Sequence, residues 1–213
     1  MSDVPPVPDR PLPEPSWSRE EDGARDTTLE ENWLFRLRRE RFRSRNSGRV
    51  HDFYVMHLAD AVDAIALTPD DRMVLVRQFR AGSLHDSLEP PGGLLEPGED
   101  PCVAGARELL EETRYAGDPP VRLGTLGSIP TILTSRITTI VIRNARHVAE
   151  PTLDHSEEVA VELVPARATP RMIEEGRINH ALCVAGLLWW LLSSPHGTTG
   201  REGDSLEHGR RID

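Results

Sequence analysis

Residues 92 to 115 read GGLLEPGEDPCVAGARELLEETRY, and this stretch decides the fold. It opens on a glycine pair, passes through Asp100-Pro101 and ends in a run rich in glutamate. Aspartate is a favoured N-cap residue, and proline fits the first position of a helix. The stretch therefore predicts a glycine-rich turn followed by a helix that begins at Pro101.

The predicted helix has an apolar side and an acidic side. At about 100° per residue, the apolar side collects Cys102, Val103, Ala106, Leu109 and Leu110. The opposite side carries Glu108, Glu111 and Glu112. Because like charges three and four residues apart each cost about a few tenths of a kcal/mol, a hard divalent cation would relieve this cluster. Ligands that are all oxygen favour Mg²⁺ or Mn²⁺ over zinc.

The same stretch resembles the signature of the Nudix hydrolases. From its second glycine it has the form G-x5-E-x7-R-E-U-x-E-E, where U is a bulky apolar residue. The matching positions are Gly93, Glu99, Arg107, Glu108, Leu109, Glu111 and Glu112. An acidic helix face by itself is usually only a solvated face, but here it comes with a glycine-rich loop and an arginine at the family spacing. The resemblance implies an α/β/α sandwich with a mixed sheet and, in this chain, an N-terminal β-hairpin extension.

The resemblance also implies roles for these residues. It makes Glu108, Glu111 and Glu112 the metal ligands, with the Gly92 carbonyl as a further ligand. Arg107 would orient the glutamates through ion pairs, and Glu99 would lie at the substrate end of the site. The general base stays open between two positions. These are Glu108 and a glutamate of the later loop, Glu157 before Glu158.

Three further segments are similar to the ADP-ribose pyrophosphatase branch of that family. They are VRQFR (Val76–Arg80), LEPPGG (Leu88–Gly93) and EEGRINHA (Glu174–Ala181). That branch cleaves nucleoside diphosphate sugars into a nucleoside monophosphate and a sugar phosphate. The resemblance makes Arg80 an arginine that holds the substrate and Glu89 an acidic residue beside the metal. His180 is interpreted as a residue of the first helical turn rather than a catalyst.

Two departures from the family pattern bear on function. Members that act on ADP-ribose usually carry Ser-Pro-Gly after the signature, whereas this chain has Ser128-Ile129-Pro130-Thr131. Arg114 stands where the family has a glycine that ends the helix. Either Arg114 adopts a left-handed conformation, or the helix continues to Gly117, and we predict the continuation. These departures keep open an alternative function, a catalytically weak domain that binds or senses a nucleotide sugar.

Composition narrows the function classes. The chain has 213 residues, a formal net charge of −10 and a pI of about 5.3, which argues against a nucleic-acid surface. All 25 basic residues are arginine, so a mechanism that needs lysine is excluded. The two cysteines lie in apolar helical patterns, which predicts buried free thiols in a reducing, cytoplasmic compartment. The longest apolar stretch, Ala181–Leu192, is too short for a membrane span, so no membrane partner is expected.

The chain is predicted to hold one domain, residues 29–194, between a disordered proline-rich arm (1–28) and a disordered tail (195–213). A hairpin within 33–58, turning at Asn46-Ser47-Gly48, is expected to form a homodimer interface. Further strands are predicted at Ala61–Leu67, at Met73–Phe79 and near 122–128, 136–142 and 158–164. A short helix should end at Gly176, and another should run from Asn179, its N-cap, to Leu192.

Overall fold

The computed structural model describes residues 14–20, 26–148 and 159–193. The chain divides into two compact units, Met1–Leu58 and Ala59–Asp213. The predicted N-terminal hairpin lies in the first unit, and the remainder of the domain predicted over 29–194 lies in the second. Among the described residues, no helix combines the length and the apolar character that crossing a bilayer requires.

The first unit is an antiparallel sheet built around one long strand. Its strands are β1 (Trp17–Arg19), β2 (Thr27–Glu31), β3 (Arg36–Ser44) and β4 (Val50–His57). β4 pairs with β3 along nearly its whole length, and the turn between them contains Gly48 at φ +69°. The predicted hairpin is present, although its first strand begins at Arg36 rather than at Trp33.

Strand β1 and the start of β2 lie within residues 1–28, for which a disordered arm is predicted. β1 pairs with the end of β3, and β2 pairs with its beginning. Trp17 lies edge-on against His51 and Phe53, with ring centroids 5.3 Å apart in both pairs. Disorder over 1–28 is thus wrong at Trp17–Arg19 and from Thr27 onward, because cross-strand pairing and aromatic packing hold these short segments. Residues 1–13, 21–25 and the predicted tail from 195 lie outside the described residues.

The second unit is a mixed sheet with helices on both faces. Its strands are β5 (Ala61–Leu67), β6 (Arg72–Arg80), β7 (His85–Glu89), β8 (Gly92–Leu94), β9 (Tyr115–Ala116), β10 (Val121–Gly127), β11 (Arg136–Ile142), β12 (Arg146–His147) and β13 (Ala160–Pro165). Its helices are α1 (Pro101–Thr113), α2 (Thr169–Glu174), which follows a 3-10 turn, and α3 (Ala181–Ser193). The strands predicted near 122–128, 136–142 and 158–164 correspond to β10, β11 and β13.

The main sheet has seven strands, and β5 lies near its centre. The hydrogen-bonded order is β10-β11-β5-β6-β13, with β7 added on β6 and β8 added on β5. The β11–β5 pair is parallel, and the other pairs are antiparallel. A strand buried on both faces reads as a nearly continuous apolar run, which explains the AVDAIAL sequence of β5.

Two hydrophobic cores lie on opposite faces of this sheet. On one face, Val62, Ala64 and Ala66 pack with Leu109 of α1. On the other face, Ile65 and Leu67 belong to the core that includes residues of α2 and α3, among them Met172, Leu187 and Trp190. Alternate residues of β5 thus serve alternate cores, as the two-residue period of a strand requires. The predicted α/β/α sandwich is confirmed.

The buried face of α1 differs from the prediction. Val103 is 61% exposed and Leu110 is also exposed, whereas the buried residues are Ala104, Gly105, Leu109 and Thr113. A Cβ on Gly105 would lie 2.3 Å from Cδ1 of Ile140. At Gly105 the helix therefore lies too close to the sheet for a side chain, a condition that helical periodicity does not reveal.

The C-terminus of α1 also differs from the prediction. The helix begins at Pro101 with Asp100 as N-cap, as predicted, but it ends at Thr113 instead of continuing to Gly117. Arg114 adopts the left-handed conformation, φ 60° and ψ 23°, and its N–H donates to the Leu110 carbonyl. The next two residues form β9, which pairs with β12. This pairing requires extended backbone directly after the helix, and Arg114 makes the turn.

Helices α2 and α3 follow the predicted order with small shifts. α2 ends at Glu174, two residues before Gly176, which has φ +71°. α3 begins at Ala181, so Asn179 is not its N-cap. The residue before the helix is His180, whose carbonyl accepts from the N–H of Val184.

Candidate active site

Arg107 joins three of the predicted site carboxylates. Its Nε and Nη2 donate to the two oxygens of Glu99, each at 3.1 Å. Its Nη1 donates to Glu108 Oε1 at 2.9 Å and to Glu111 Oε2 at 3.0 Å. These hydrogen bonds, those to Glu99 first, raise the pKa of Arg107. One guanidinium thus holds the loop before α1 against the acidic side of the helix.

The glycine pair lets the turn approach that acidic side. The N–H of Gly92 donates to Glu112 Oε2 at 3.0 Å. A Cβ on Gly92 would lie 2.1 Å from the Val62 carbonyl oxygen, and a Cβ on Gly93 would lie 2.5 Å from Glu108 Oε1. A side chain at Gly92 would displace the backbone, because its first contact is with the β5 carbonyl of Val62, whereas a side chain at Gly93 would push the Glu108 carboxylate aside. Gly92 therefore lets this segment lie against β5, and Gly93 leaves room for Glu108.

A second cluster is centred on Glu89, at the end of β7. Arg80 donates to both of its carboxylate oxygens, Nε to Oε1 at 3.0 Å and Nη2 to Oε2 at 2.8 Å. Nδ1 of His180 lies 3.1 Å from the same Oε2. Glu89 is only 2% exposed, and burial by itself would raise its pKa. The hydrogen bonds from His180 and Arg80 outweigh that effect and hold the pKa of Glu89 well below its usual range.

Comparison with known protein families identifies the family to which the chain belongs. The model of the NUDIX domain matches residues 57–183, which is more than half of the chain. The chain belongs to the Nudix family. The resemblance drawn from Gly93–Glu112 is thereby confirmed.

The chain is similar to two proteins from Bacillus species. It is 27% identical to the ADP-ribose pyrophosphatase of Bacillus subtilis (strain 168) over 63% of this chain and 82% of that protein. It is 47% identical over 69 residues to the methanol dehydrogenase activator of Bacillus methanolicus, a match that spans 32% of this chain and 37% of that protein. The chain thus spans little more than a third of that relative's length.

One solved structure shows the same fold. A crystal structure of an ADP compounds hydrolase superposes with a TM-score of 0.69 over 80% of this chain and 94% of that chain, at 22% identity. At this identity the likeness concerns the fold. It supports the Nudix sandwich that the two cores and the mixed sheet define.

The carboxylates of the Nudix helix suit a hard divalent cation. Glu108 and Glu112 are half-buried against the glycine turn, and Glu111 is exposed at its edge. They offer only oxygen donors, which is the donor set of Mg²⁺ and Mn²⁺. The Glu99 carboxylate accepts from Arg107 and from the N–H of Glu96, so its geometry favours positioning the arginine.

Sequence reasoning missed three members of the Glu89 cluster: Asp63, His180 and Cys183. His180 precedes α3 and faces Glu89, whereas the sequence suggested a residue of the helix itself. Burial raises the pKa of Asp63 to about 7, and burial also raises the pKa of the Cys183 thiol. One signal was available, because Asp63 interrupts the otherwise apolar β5. The structure places Glu99, Glu108 and Glu111 around Arg107, Glu112 beside Gly92, and Glu89 beside Arg80. Glu157 and Glu158 lie outside the described residues.

Proposed function

We propose that the chain hydrolyses the diphosphate bond of a nucleoside diphosphate derivative, ADP-ribose or a related nucleotide sugar, to a nucleoside monophosphate and a sugar phosphate. The observation that carries this proposal is the convergence of Glu108, Glu111 and Glu112 around Arg107 and the Gly92–Gly93 turn. The similarity to an ADP-ribose pyrophosphatase over 82% of its length supports the substrate class.

The reaction requires a metal site, for which we propose Glu108, Glu111, Glu112 and the Gly92 carbonyl. When bound there, Mg²⁺ or Mn²⁺ supplies charge neutralisation for the diphosphate and lowers the pKa of a water molecule. Arg107 keeps two of these glutamates in place through Nη1. The N–H of Gly92 holds Glu112, so the carboxylates are pre-organised before the substrate arrives.

Arg80 is the cation we propose for the substrate. Its guanidinium is part-exposed, it is fixed by the buried Glu89, and Glu112 is among the groups that raise its pKa after the larger effect of Glu89. It therefore lies within electrostatic reach of the proposed metal site. A guanidinium held on one edge keeps other N–H groups for a phosphate, which arginine binds through paired hydrogen bonds.

The general base stays between Glu108 and Glu157. Glu108 already accepts from Arg107, and a nearby positive charge makes a carboxylate a weaker base. This contact favours Glu157 as base and leaves Glu108 to the metal. Glu157→Gln should then lower kcat without weakening Mg²⁺ binding, whereas Glu108→Gln should weaken Mg²⁺ binding as well. If Glu157→Gln keeps full kcat, Glu108 is the base.

The proposal is tested with a panel of nucleoside diphosphate sugars, each assayed with Mg²⁺ and with Mn²⁺. We expect release of a nucleoside monophosphate from ADP-ribose or a related compound, and no release after chelation. A chain that releases no monophosphate from any member of the panel, with either metal, would contradict the proposed hydrolysis.

Two observations favour a second candidate, a catalytically weak domain that binds a nucleotide sugar. Arg114 is left-handed where the family signature has glycine, and one relative is named as a methanol dehydrogenase activator. Calorimetry separates the two candidates. Saturable binding of ADP-ribose without monophosphate release supports the sensor, and turnover supports the hydrolase.

We also propose a homodimer that works in the cytoplasm. Trp33 is 91% exposed, and Leu34, Phe53 and Tyr54 are exposed in the same unit. Large apolar side chains exposed together in one small unit are typical of a contact surface. The two free cysteines are consistent with a reducing compartment.

A further inference from the structure

We propose that Glu89, His180 and Cys183, with Asp63 as a fourth ligand, form a second metal site that is selective for Zn²⁺ over Mg²⁺. The proposal does not require that the chain hydrolyses a nucleotide sugar, although Glu89 also holds Arg80, the cation proposed for that substrate. It lies on the α3 side of the sheet, whereas the Nudix glutamates lie on α1. Its donor set is a carboxylate, an imidazole nitrogen and a sulfur atom, which together suit zinc and do not suit magnesium.

The three first donors already lie near ligand distances of one another. Nδ1 of His180 is 3.1 Å from Glu89 Oε2 and 3.1 Å from Cys183 Sγ, and Sγ is 3.5 Å from the same oxygen. In a tetrahedral zinc site with ordinary bond lengths, such donors are about 3.4 to 3.6 Å apart. An opening of a few tenths of an ångström therefore admits the ion without moving the backbone.

The environment of Asp63 is a second, independent indication that a cation binds here. It is 7% exposed, and its Oδ2 is buried with no hydrogen-bond partner. Cys183 and Glu89 are among the groups that act on this carboxyl, so it faces the same cluster. A buried carboxylate oxygen without a partner is costly, and a cation beside it removes that cost. Asp63 is not among the ligand atoms that lie within 4.8 Å of one another, so its carboxylate must turn toward the ion to complete the four-coordinate sphere of a structural zinc site.

The charges balance when the ion is bound. Glu89 is held ionised and is neutralised by Arg80. The thiol of Cys183 releases its proton on binding, and Asp63 is then ionised as well. These two negative charges match the two positive charges of the metal. Arg80 does not exclude the ion, because a ligating carboxylate normally also accepts a hydrogen bond from a neighbouring group.

The consequence is a link between the sheet and the start of α3. Asp63 and Glu89 belong to β5 and β7, while His180 and Cys183 lie in and just before the first turn of the helix. The ion would join these elements where Gly186 brings α3 close to Thr139, the β11 partner of Asp63. A zinc site here would stabilise the α3 core rather than carry out chemistry.

The test uses the full reduced chain, freed of metal by a chelator, and Co²⁺ as a spectroscopic substitute for zinc. A cobalt–thiolate bond produces a charge-transfer absorption in the near ultraviolet. We expect this band to saturate at about one equivalent of Co²⁺ per chain, to disappear when Zn²⁺ is added, and to survive an excess of Mg²⁺.

Cys183→Ser should abolish the band, and Cys102→Ser, which removes the other free cysteine on α1, should leave it intact. His180→Gln should weaken Co²⁺ binding at least tenfold. Because His180 is half-exposed, this variant tests the site even if the buried substitution Cys183→Ser prevents folding. The absence of a band, its persistence in Cys183→Ser, its loss in Cys102→Ser or its displacement by Mg²⁺ would each overturn the proposal. Because the readout is absorption, none of these outcomes depends on whether the chain hydrolyses a nucleotide sugar.

Discussion

At Arg114, the backbone preference of a residue with a Cβ conflicts with the left-handed turn that the fold requires before β9. Its left-handed conformation costs a residue with a Cβ about 1 kcal/mol, and glycine removes that cost. We expect Arg114→Gly to be about 1 kcal/mol more stable than Arg114→Ala, which removes the same side-chain contacts but keeps the Cβ. Urea unfolding measures both variants. Equal stabilities would show that the conformation is not strained.

Glu112 tests the proposed Mg²⁺ site. Glu112→Gln keeps the shape that accepts the Gly92 N–H but loses the negative charge. We expect kcat/KM to fall at least about 100-fold, while the melting temperature without metal stays unchanged. Added Mg²⁺ should raise the melting temperature of the unmodified chain and not that of the variant. Glu174→Gln, at an exposed site on α2, is the control. Near-normal turnover of Glu112→Gln at saturating Mg²⁺ would exclude Glu112 as a ligand.

Asp63 should make stability depend on pH in the chelated protein. Burial raises its folded pKa to about 7, above the unfolded value of about 3.9. Between those values the folded chain holds a proton that the unfolded chain releases, so stability falls as pH rises through the window. Asp63→Asn lacks this proton. The free energy of unfolding of Asp63→Asn minus that of the unmodified chain should therefore rise between about pH 4 and about pH 7, by at most a few kcal/mol. Above about pH 7 this difference should stay level. Parallel denaturation curves across that range would contradict the raised pKa.

At the scale of elements, the approach of α1 to the sheet is the constraint that orders the site. Gly105 lets the helix lie against Ile140 and Val62, and the same approach brings its glutamates to the glycine turn. Gly105→Ala gains helix propensity worth about 1 kcal/mol but overpacks the core at a cost of about 1 to 3 kcal/mol. We expect a net loss of about 1 kcal/mol in the free energy of unfolding.

The control for that substitution is Gly82→Ala. An added Cβ at Gly82 meets no atom within 4 Å, and its φ is not in the left-handed region. Its stability should change by no more than about 0.5 kcal/mol. A Gly105→Ala variant as stable as Gly82→Ala would mean that α1 can move away from the sheet at little cost.

At the scale of the whole molecule, we predict a homodimer whose interface includes residues 33–58. Trp33→Ser removes the most exposed aromatic residue of that segment. We expect sedimentation velocity to show a dimer for the unmodified chain at micromolar concentration and a shift toward monomer for Trp33→Ser. Leu192→Ser, which changes an apolar residue that is 84% exposed on α3, should leave the dimer intact. A monomeric unmodified chain would contradict the proposed assembly.

The sequence by itself determined the Nudix family, the start of α1 at Asp100-Pro101 and the positions along the chain of strands β5, β6, β10, β11 and β13. These features rest on local signals: a capping residue, a fixed motif spacing and apolar runs bounded by turns. The family resemblance also implied that Arg107 would hold glutamates through ion pairs, and its guanidinium contacts Glu108 and Glu111.

Only the tertiary structure decided which residues lie at the helix–sheet contact and which groups meet around Glu89. Val103 and Leu110 are exposed, and at Gly105 the helix comes too close for a side chain to Ile140, more than thirty residues away in the sequence. Arg114 turns because β9 must pair with β12. Asp63, Glu89 and Cys183 come from three distant segments, so no local pattern joins them. Their pKa shifts arise from burial and from one another, and burial exists only once the chain has folded.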